Sequence, residues 1–162
     1  MKLYVSEKLF SLRRKFYVTD EGQKDVYEIS SKIVSIGDKT YIKDMNGKEL
    51  SYIEQNLFHL TSNYDVYIKN KVICNIRKKF QLFRNDYVLD NGCRVEGEVW
   101  MFDFAIFDEN NTKIGSIKRK FFSIGDKYEI TIHDEKQTIL VLSIVVTIAN
   151  DINRYQQNSI NS

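Results

Sequence analysis

The chain has 162 residues, a length that suits one domain and lets the folded chain bury roughly 70% of its unfolded surface. Hydrophobic residues make up 43% of it, which excludes general disorder. The 24 basic and 22 acidic residues leave a net charge of +2, so bulk charge gives no reason to expect a nucleic-acid partner. Ten Tyr and ten Phe favour strands, and the absence of Pro means that turns rely on Gly, Asn and Asp.

The first residues and the cysteines bear on localisation. The amino-terminal sequence MKLYVSEK lacks the apolar run of an export signal. The longest apolar stretch, 139–149, is shorter than the about 20 residues that cross a bilayer. We therefore expect a cytoplasmic protein with no transmembrane segment. Cys74 and Cys93 suggest no disulfide framework, and we expect free, buried thiols.

A short repeat runs along the chain. The pentapeptide SIGDK at 35–39 recurs unchanged at 123–127. Around both copies lies a looser unit: an apolar or aromatic residue, a polar one, Ile or Leu, a few turn-like residues, and then alternating apolar positions. Units of this kind begin at Phe10, Val34, Phe58, Phe80 and Phe122, and residues 104–108 look like the second half of a sixth unit whose first half has drifted. Each unit predicts a strand, a turn, a second strand and a second turn.

Turn signals rich in Asp, Asn and Gly close most of these units. They lie at 20–22, 44–47, 90–92 and 108–111. Roughly six units of two strands predict about twelve strands in an antiparallel meander. Alternation supports half-buried strands, since Tyr128, Ile130 and Ile132 fall on one face.

The apolar segment near the carboxyl end predicts a helix inside the meander. Twelve strands leave unpaired edges unless they close into a barrel, and a barrel wider than about eight strands needs an apolar filling. Residues 137–150 show neither strand alternation nor a polar helical face, so they predict a helix that is buried all round. A buried central strand is the alternative, because Ile, Val and Thr prefer strands. We expect a single domain over 1–152 and a disordered polar tail over 153–162.

These features resemble the LURP-one-related family, which includes the bacterial YxjI-like group. The resemblance rests on the turns of the Phe-Ser-Ile/Leu-Gly-Asp type, the Asp-x-x-Gly hairpins, the Ile-x-x-Lys-Phe strand from Ile117 to Phe121 and the terminal apolar helix, and covers Met1 to about Asp151. It implies the Tubby C-terminal-like fold, a mainly β barrel of about twelve antiparallel strands closed around a central hydrophobic helix. Related folds occur in the phosphoinositide-binding Tubby domain and in phospholipid scramblases. The family implies no established activity for this chain.

Three basic clusters, at 12–16, 76–80 and 117–121, are the candidate binding sites. Charge runs of this kind usually form a solvated strand face with edge-protecting lysines. As an anion site, Arg would bind phosphate with two hydrogen bonds and Lys with a point charge. The second and third clusters precede equivalent turns, so we expect their side chains to converge at one rim. The candidate residues for an anion or a lipid head group are Arg77, Lys78, Lys79, Lys118, Arg119 and Lys120.

Catalytic and metal-binding patterns are not evident. His59 and His133 lack the spacing of a catalytic pair, and the two His and two Cys show no zinc spacing, so we expect no cofactor and no metal. The sequence therefore favours a non-enzymatic binding or scaffold domain that recognises anionic phospholipid or a phosphate-bearing ligand, peripheral at the membrane. The alternatives are a protein-interaction module and an enzyme whose site forms only in three dimensions.

Overall fold

The computed structural model describes residues 1–6, 15–34, 37–79, 87–122 and 126–160. Its strands are β1 Lys2–Ser6, β2 Lys15–Thr19, β3 Asp25–Val34, β4 Gly37–Asp44, β5 Glu49–Gln55, β6 Asn63–Ile68, β7 Lys71–Lys78, β8 Tyr87–Leu89, β9 Arg94–Glu98, β10 Asp103–Phe107, β11 Lys113–Lys120 and β12 Lys127–Ile132. Short 3₁₀ helices cover Val99–Met101 and Glu135–Gln137, and one long helix, α1, covers Thr138–Ile160. The first residues of the predicted repeat units at Phe10 and Phe80, and parts of both SIGDK copies, lie outside the described residues.

The twelve strands form one antiparallel sheet whose order follows the chain, with β1 hydrogen-bonded to β12. This confirms the predicted meander. The hydrogen-bonded order begins at β8 and finishes at β9, so the barrel is nearly closed, with its seam between these two strands. β8 has only three residues and pairs with β7, and the Asp90 carboxylate at its end also accepts the Asn75 N–H of β7. β9 pairs with β10 instead.

α1 fills the barrel, as predicted. Strand residues alternate, so that Tyr128, Ile130 and Ile132 of β12 point inward and are buried. The helix is buried on all sides from Leu140 to Ala149, which rules out the alternative of a central strand. Its hydroxyl side chains bond back to the helix: Ser143 donates to the Ile139 carbonyl and Thr147 to the Ser143 carbonyl, both at 2.7 Å. The interior therefore satisfies the polar groups that the helix carries.

The helix is longer than predicted. It continues past residue 150 to Ile160, so residues 153–160 are helical and the prediction of a disordered tail there is wrong. Two residues of this extension, Arg154 and Tyr155, hold it against the barrel. Arg154 hydrogen-bonds Gln55 and forms an ion pair with Asp38, and the Tyr155 ring packs edge-on against Trp100 at 5.4 Å.

The two ends of the barrel differ. β12 leads into α1 at the end where the odd-numbered strands begin, since the His133 N–H donates to the Ile114 carbonyl at the start of β11. α1 then runs to the opposite end, where the odd-numbered strands finish, and its last turns protrude there. We call this second end the exit end. Within the barrel, Ser143 Oγ lies 2.8 Å from Ser51 Oγ, and the Asn150 amide donates to Thr40 Oγ1 at 3.0 Å, which fixes the rotation of the helix.

Three hairpin turns at the other end share one geometry. In the β2–β3, β4–β5 and β10–β11 turns, the first residue is an Asp whose carboxylate accepts the backbone N–H of the fifth residue. The fourth residue of each turn has a positive φ. Those fourth residues are Gln23 at 62°, Gly47 at 84° and Asn111 at 66°. This is a type I turn closed by a left-handed residue, which the Asp, Asn and Gly signals predicted.

Gln23→Gly is expected to raise the free energy of unfolding by about 0.5–1 kcal/mol. A non-glycine residue with left-handed φ costs about 1–2 kcal/mol, and the greater entropy of Gly in the unfolded chain offsets part of that gain. Gly47→Gln is the matched control, because a Cβ at Gly47 meets no atom within 4 Å and only its backbone is strained. Urea denaturation should move the two variants in opposite directions. A loss of stability in Gln23→Gly would contradict this account.

Candidate functional site: the exit end of the barrel

The structure places both favoured basic clusters at the exit end, because β7 and β11 are odd-numbered strands that finish there. Three strands, β8 to β10, lie between them along the chain and across the seam. The side chains of the β7 cluster do not act alike. Arg77 and Lys79 are exposed, whereas Lys78 turns into the barrel with only 16% of its side chain accessible.

Lys78 belongs to a buried polar cluster around Asp151 of α1. The Asp151 side chain is 2% exposed, and its Oδ2 lies 3.6 Å from Lys78 Nζ. The same carboxylate accepts the Tyr87 hydroxyl at 2.6 Å and the Tyr64 hydroxyl at 3.1 Å. We call Asp151, Lys78, Tyr64 and Tyr87 the Asp151 cluster. The cluster ties the helix to β6, β7 and β8. Lys78, one of the predicted anion-binding residues, therefore makes a structural contact at the exit end.

Aromatic rings cover the ammonium of this cluster. Lys78 Nζ lies 4.8 Å from the ring centre of Tyr155 and 5.5 Å from that of Trp100. Burial, together with the Asp151 charge, raises the pKa of Tyr64 and of Tyr87, so both hydroxyls stay protonated and donate to the carboxylate. The cluster is therefore a set of satisfied hydrogen bonds and one ion pair.

Each basic residue of the β11 cluster has a carboxylate nearby. Arg119 Nη2 lies 2.7 Å from Asp126 Oδ2, Lys120 Nζ 3.8 Å from Glu129 Oε1, and Lys118 Nζ 4.0 Å from Asp103 Oδ1. The Arg119 guanidinium also lies over the Phe121 ring at 5.3 Å. Lys118 and Asp103 are both more than half exposed, so their attraction is weak and Lys118 remains accessible to a ligand.

Large apolar side chains are exposed beside these charges. Nine of those that the structure leaves exposed lie at the exit end: Leu57, Phe58 and Leu60 between β5 and β6, Trp100 and Met101 between β9 and β10, Phe121 and Phe122 after β11, and Tyr155 and Ile160 on α1. Phe58 is 96% exposed and Leu60 is fully exposed. We call these nine residues the apolar rim. Monomeric proteins rarely expose so many apolar side chains together unless the surface binds something.

The apolar rim was missed in the sequence because its residues share the repeat pattern with the core. The motif Phe58-His59-Leu60 looks like the start of a repeat unit, yet all three side chains are exposed. The available signal was position: these residues lie between a finished strand and the next alternating segment, where loops are expected to be polar.

Comparison with known proteins gives the same fold over nearly the whole chain. The model of the LURP-one-related family matches residues 1–149. The chain belongs to the LURP-one-related family. It is 26% identical over 149 residues to the uncharacterized protein YxjI of Bacillus subtilis, covering 91% of both chains. An X-ray structure of an Arabidopsis thaliana protein superposes with a TM-score of 0.67, covering 94% of this chain and 90% of the other. Its 15% identity indicates a shared fold.

The remaining candidates of this LURP-one-related chain lie apart from the exit-end charges or in its loops. His59 is exposed in the β5–β6 loop, and His133 is exposed after β12, where partial burial and Lys113 lower its pKa. Cys74 and Cys93 are free and buried, as predicted, and burial raises the pKa of Cys74 to about 12. In the described ranges, no three His, Cys, Asp or Glu side chains group as a metal site would need. No helix there combines the length and apolar character that crossing a membrane takes.

Proposed function

We propose that this LURP-one-related chain is a non-enzymatic binding domain whose exit end docks on membranes that contain anionic phospholipid. The observation that carries the proposal is the shared location of the apolar rim and the two basic clusters. Exposed apolar side chains enter the boundary between head groups and acyl chains, while Lys and Arg are drawn to anionic lipid. The resulting association is peripheral.

Three exposed cations at this end are the best candidates for lipid contact. Arg77 and Lys79 flank the inward-facing Lys78, and Lys118 is 63% exposed. A basic residue near an anionic membrane surface contributes about 1 kcal/mol of attraction. Lys78 is left out of the test set because its loss would disrupt the Asp151 cluster.

The test measures co-sedimentation with vesicles of phosphatidylcholine, with and without phosphatidylserine. The triple variant Arg77→Glu, Lys79→Glu, Lys118→Glu is expected to lose at least tenfold in affinity for the anionic vesicles, since three attractions become repulsions. A second variant, Phe58→Ser with Leu60→Ser, is expected to lose affinity by losing apolar insertion. Thermal melts establish that each variant is folded.

The matched control reverses three exposed lysines at the opposite end, Lys24→Glu, Lys48→Glu and Lys113→Glu. It makes the same change in net charge and is expected to retain most of the binding. Equal loss in both triple variants would show that bulk charge is responsible and would contradict docking through the exit end. If the chain bound no vesicles but captured a partner protein in a pull-down, a protein-interaction module would be favoured instead.

A further inference from the structure

The wall of the barrel opens between β1 and β2. Among the described residues, Tyr4 and Thr19 are the one pair in register between these strands. By contrast, β1 has five register pairs with β12, and β2 has five with β3. β1 and β2 therefore separate from the Tyr4–Thr19 pair toward the exit end. The first basic cluster of the sequence reaches this opening through Lys15, its other basic members lying outside the described residues.

A groove of about 360 Å³ occupies the opening. Tyr4 and Ser6 of β1 line one side, Lys15, Phe16 and Tyr17 of β2 line the other, and Lys127 of β12 completes it. The volume falls in the lower part of the range for small-molecule sites. The groove combines hydroxyl donors, two ammonium groups and the Phe16 ring, which packs against the core.

The charges around the groove favour an anion. Lys15 Nζ lies 2.7 Å from Glu28, and Lys2 and Lys120 lie 3.4 Å and 3.8 Å from the two oxygens of Glu129. Glu129 also accepts the Tyr4 hydroxyl at 3.2 Å. Both carboxylates are thus engaged by lysines. Among the described residues Lys127 faces no carboxylate at ion-pair distance; it lies over the Phe122 ring at 5.9 Å, so its charge is available to a ligand. The four ammonium groups therefore outnumber the carboxylates that act on them, which are Glu28, Glu129 and, more weakly, Glu21.

We propose that this groove binds a phosphate monoester with a small apolar or aromatic body. The phosphate would bind between Lys127 and Lys15 with the hydroxyls of Ser6 and Tyr17, and the body would lie against Phe16. A tetrahedral phosphate dianion suits separate ammonium and hydroxyl donors, whereas a planar carboxylate is matched best by an Arg fork, which the described lining lacks. This site goes beyond the membrane docking proposed above and uses different residues.

The test titrates phenyl phosphate into the full chain by calorimetry. Lys127→Gln is expected to weaken binding roughly tenfold, because a charge-assisted contact is lost. Lys113→Gln, an exposed lysine at the other end of the barrel, is the control and should bind like the unmodified protein. Phenol should not bind, and affinity should fall below about pH 6, where the phosphate takes up its second proton. Thermal melts check the fold of both variants.

A free ester and a lipid head group share this chemistry, so a second arm uses vesicles that contain phosphatidate. Binding of phenyl phosphate that depends on Lys127 supports the site with a soluble ester as its source. Binding of phosphatidate vesicles alone, again dependent on Lys127, supports it with a lipid as its source. Binding of neither probe, or binding that Lys127→Gln leaves unchanged, overturns the proposal. A loss of vesicle binding that is confined to the Arg77, Lys79 and Lys118 variant concerns membrane docking and does not affect the test of the groove.

Discussion

Asp151→Ala is expected to lower the free energy of unfolding by about 3–5 kcal/mol, the usual cost of removing one partner from a buried ion pair. The carboxylate is 2% exposed and accepts two tyrosine hydroxyls besides facing Lys78. Its loss leaves one ammonium and two hydroxyls inside the barrel without their acceptor, and each buried unsatisfied donor adds to the cost. Urea denaturation followed by Trp100 fluorescence measures the change.

The matched control is Asp103→Ala, which removes a carboxylate from an exposed ion pair with Lys118. Exposed pairs contribute about 0–1 kcal/mol, so this variant should remain close to the unmodified protein. In a double-mutant cycle, Lys78→Met with Asp151→Ala should cost clearly less than the sum of the single changes, because the uncompensated charge is gone. A change below 1 kcal/mol in Asp151→Ala would show that the cluster does not hold the helix.

The Asp151 cluster also shows where sequence reasoning stopped. Asn150-Asp151 looks like the polar end of an apolar helix, and Lys78 looks like part of a surface charge run. Their pairing joins residues far apart in the sequence, and the hydroxyls come from two further strands. Local patterns carry no information about such contacts. The predicted helix end at 150 was wrong for the same reason, since Arg154 is held by Gln55, 99 positions earlier.

The parts of the fold that depend on local chemistry were predictable. Three of the four predicted Asp-rich turns close through their own Asp carboxylate and their own left-handed residue, so their sequence suffices to identify them, whereas the Asp90 carboxylate accepts from Asn75 of β7. The burial of the helix followed from the uniform apolar character of 139–149, despite the strand preference of its Ile and Val residues. Tertiary burial outweighs that preference here. The relation to Tubby domains and scramblases, and the cytoplasmic location, stay predictions.

The exit end was only partly predictable. Counting strands places the ends of β7 and β11 at one end of the barrel, because alternate strands of an antiparallel meander run in the same direction. Alternation along β7 puts Lys78 on the same inward face as Cys74 and Ile76 and leaves Arg77 outside, and the Asp151 carboxylate of α1, which no local pattern predicts, pairs with Lys78 there. The apolar rim depends on loops, where no periodicity separates core from surface.

Gly115→Ala is expected to lower the free energy of unfolding by about 1–3 kcal/mol through overpacking. Gly115 lies on β11 facing α1, and a Cβ built there would lie 2.5 Å from Val141 Cγ1 and 3.0 Å from Cγ2. The Gly115 backbone packs directly against the buried Val141 side chain, so neither can move aside without disturbing the rest of the interior. Urea denaturation measures the loss. Gly22→Ala, in an exposed turn, is the control: a Cβ there would meet only the Asp20 side chain, 3.2 Å from its Oδ1, so a smaller loss than that of Gly115→Ala is expected.

A second substitution tests whether the helix is the obstacle. Val141→Ala removes the two methyl groups that the new Cβ would meet, at the cost of a small cavity in the Gly115 background. Combined with Gly115→Ala, the added methyl fills part of that cavity, so the double variant should be more stable than the sum of the single losses predicts. Additive losses would mean that Gly115 and Val141 do not touch. In that case α1 would not occupy the position inside the barrel on which the Asp151 cluster and the exit end both depend.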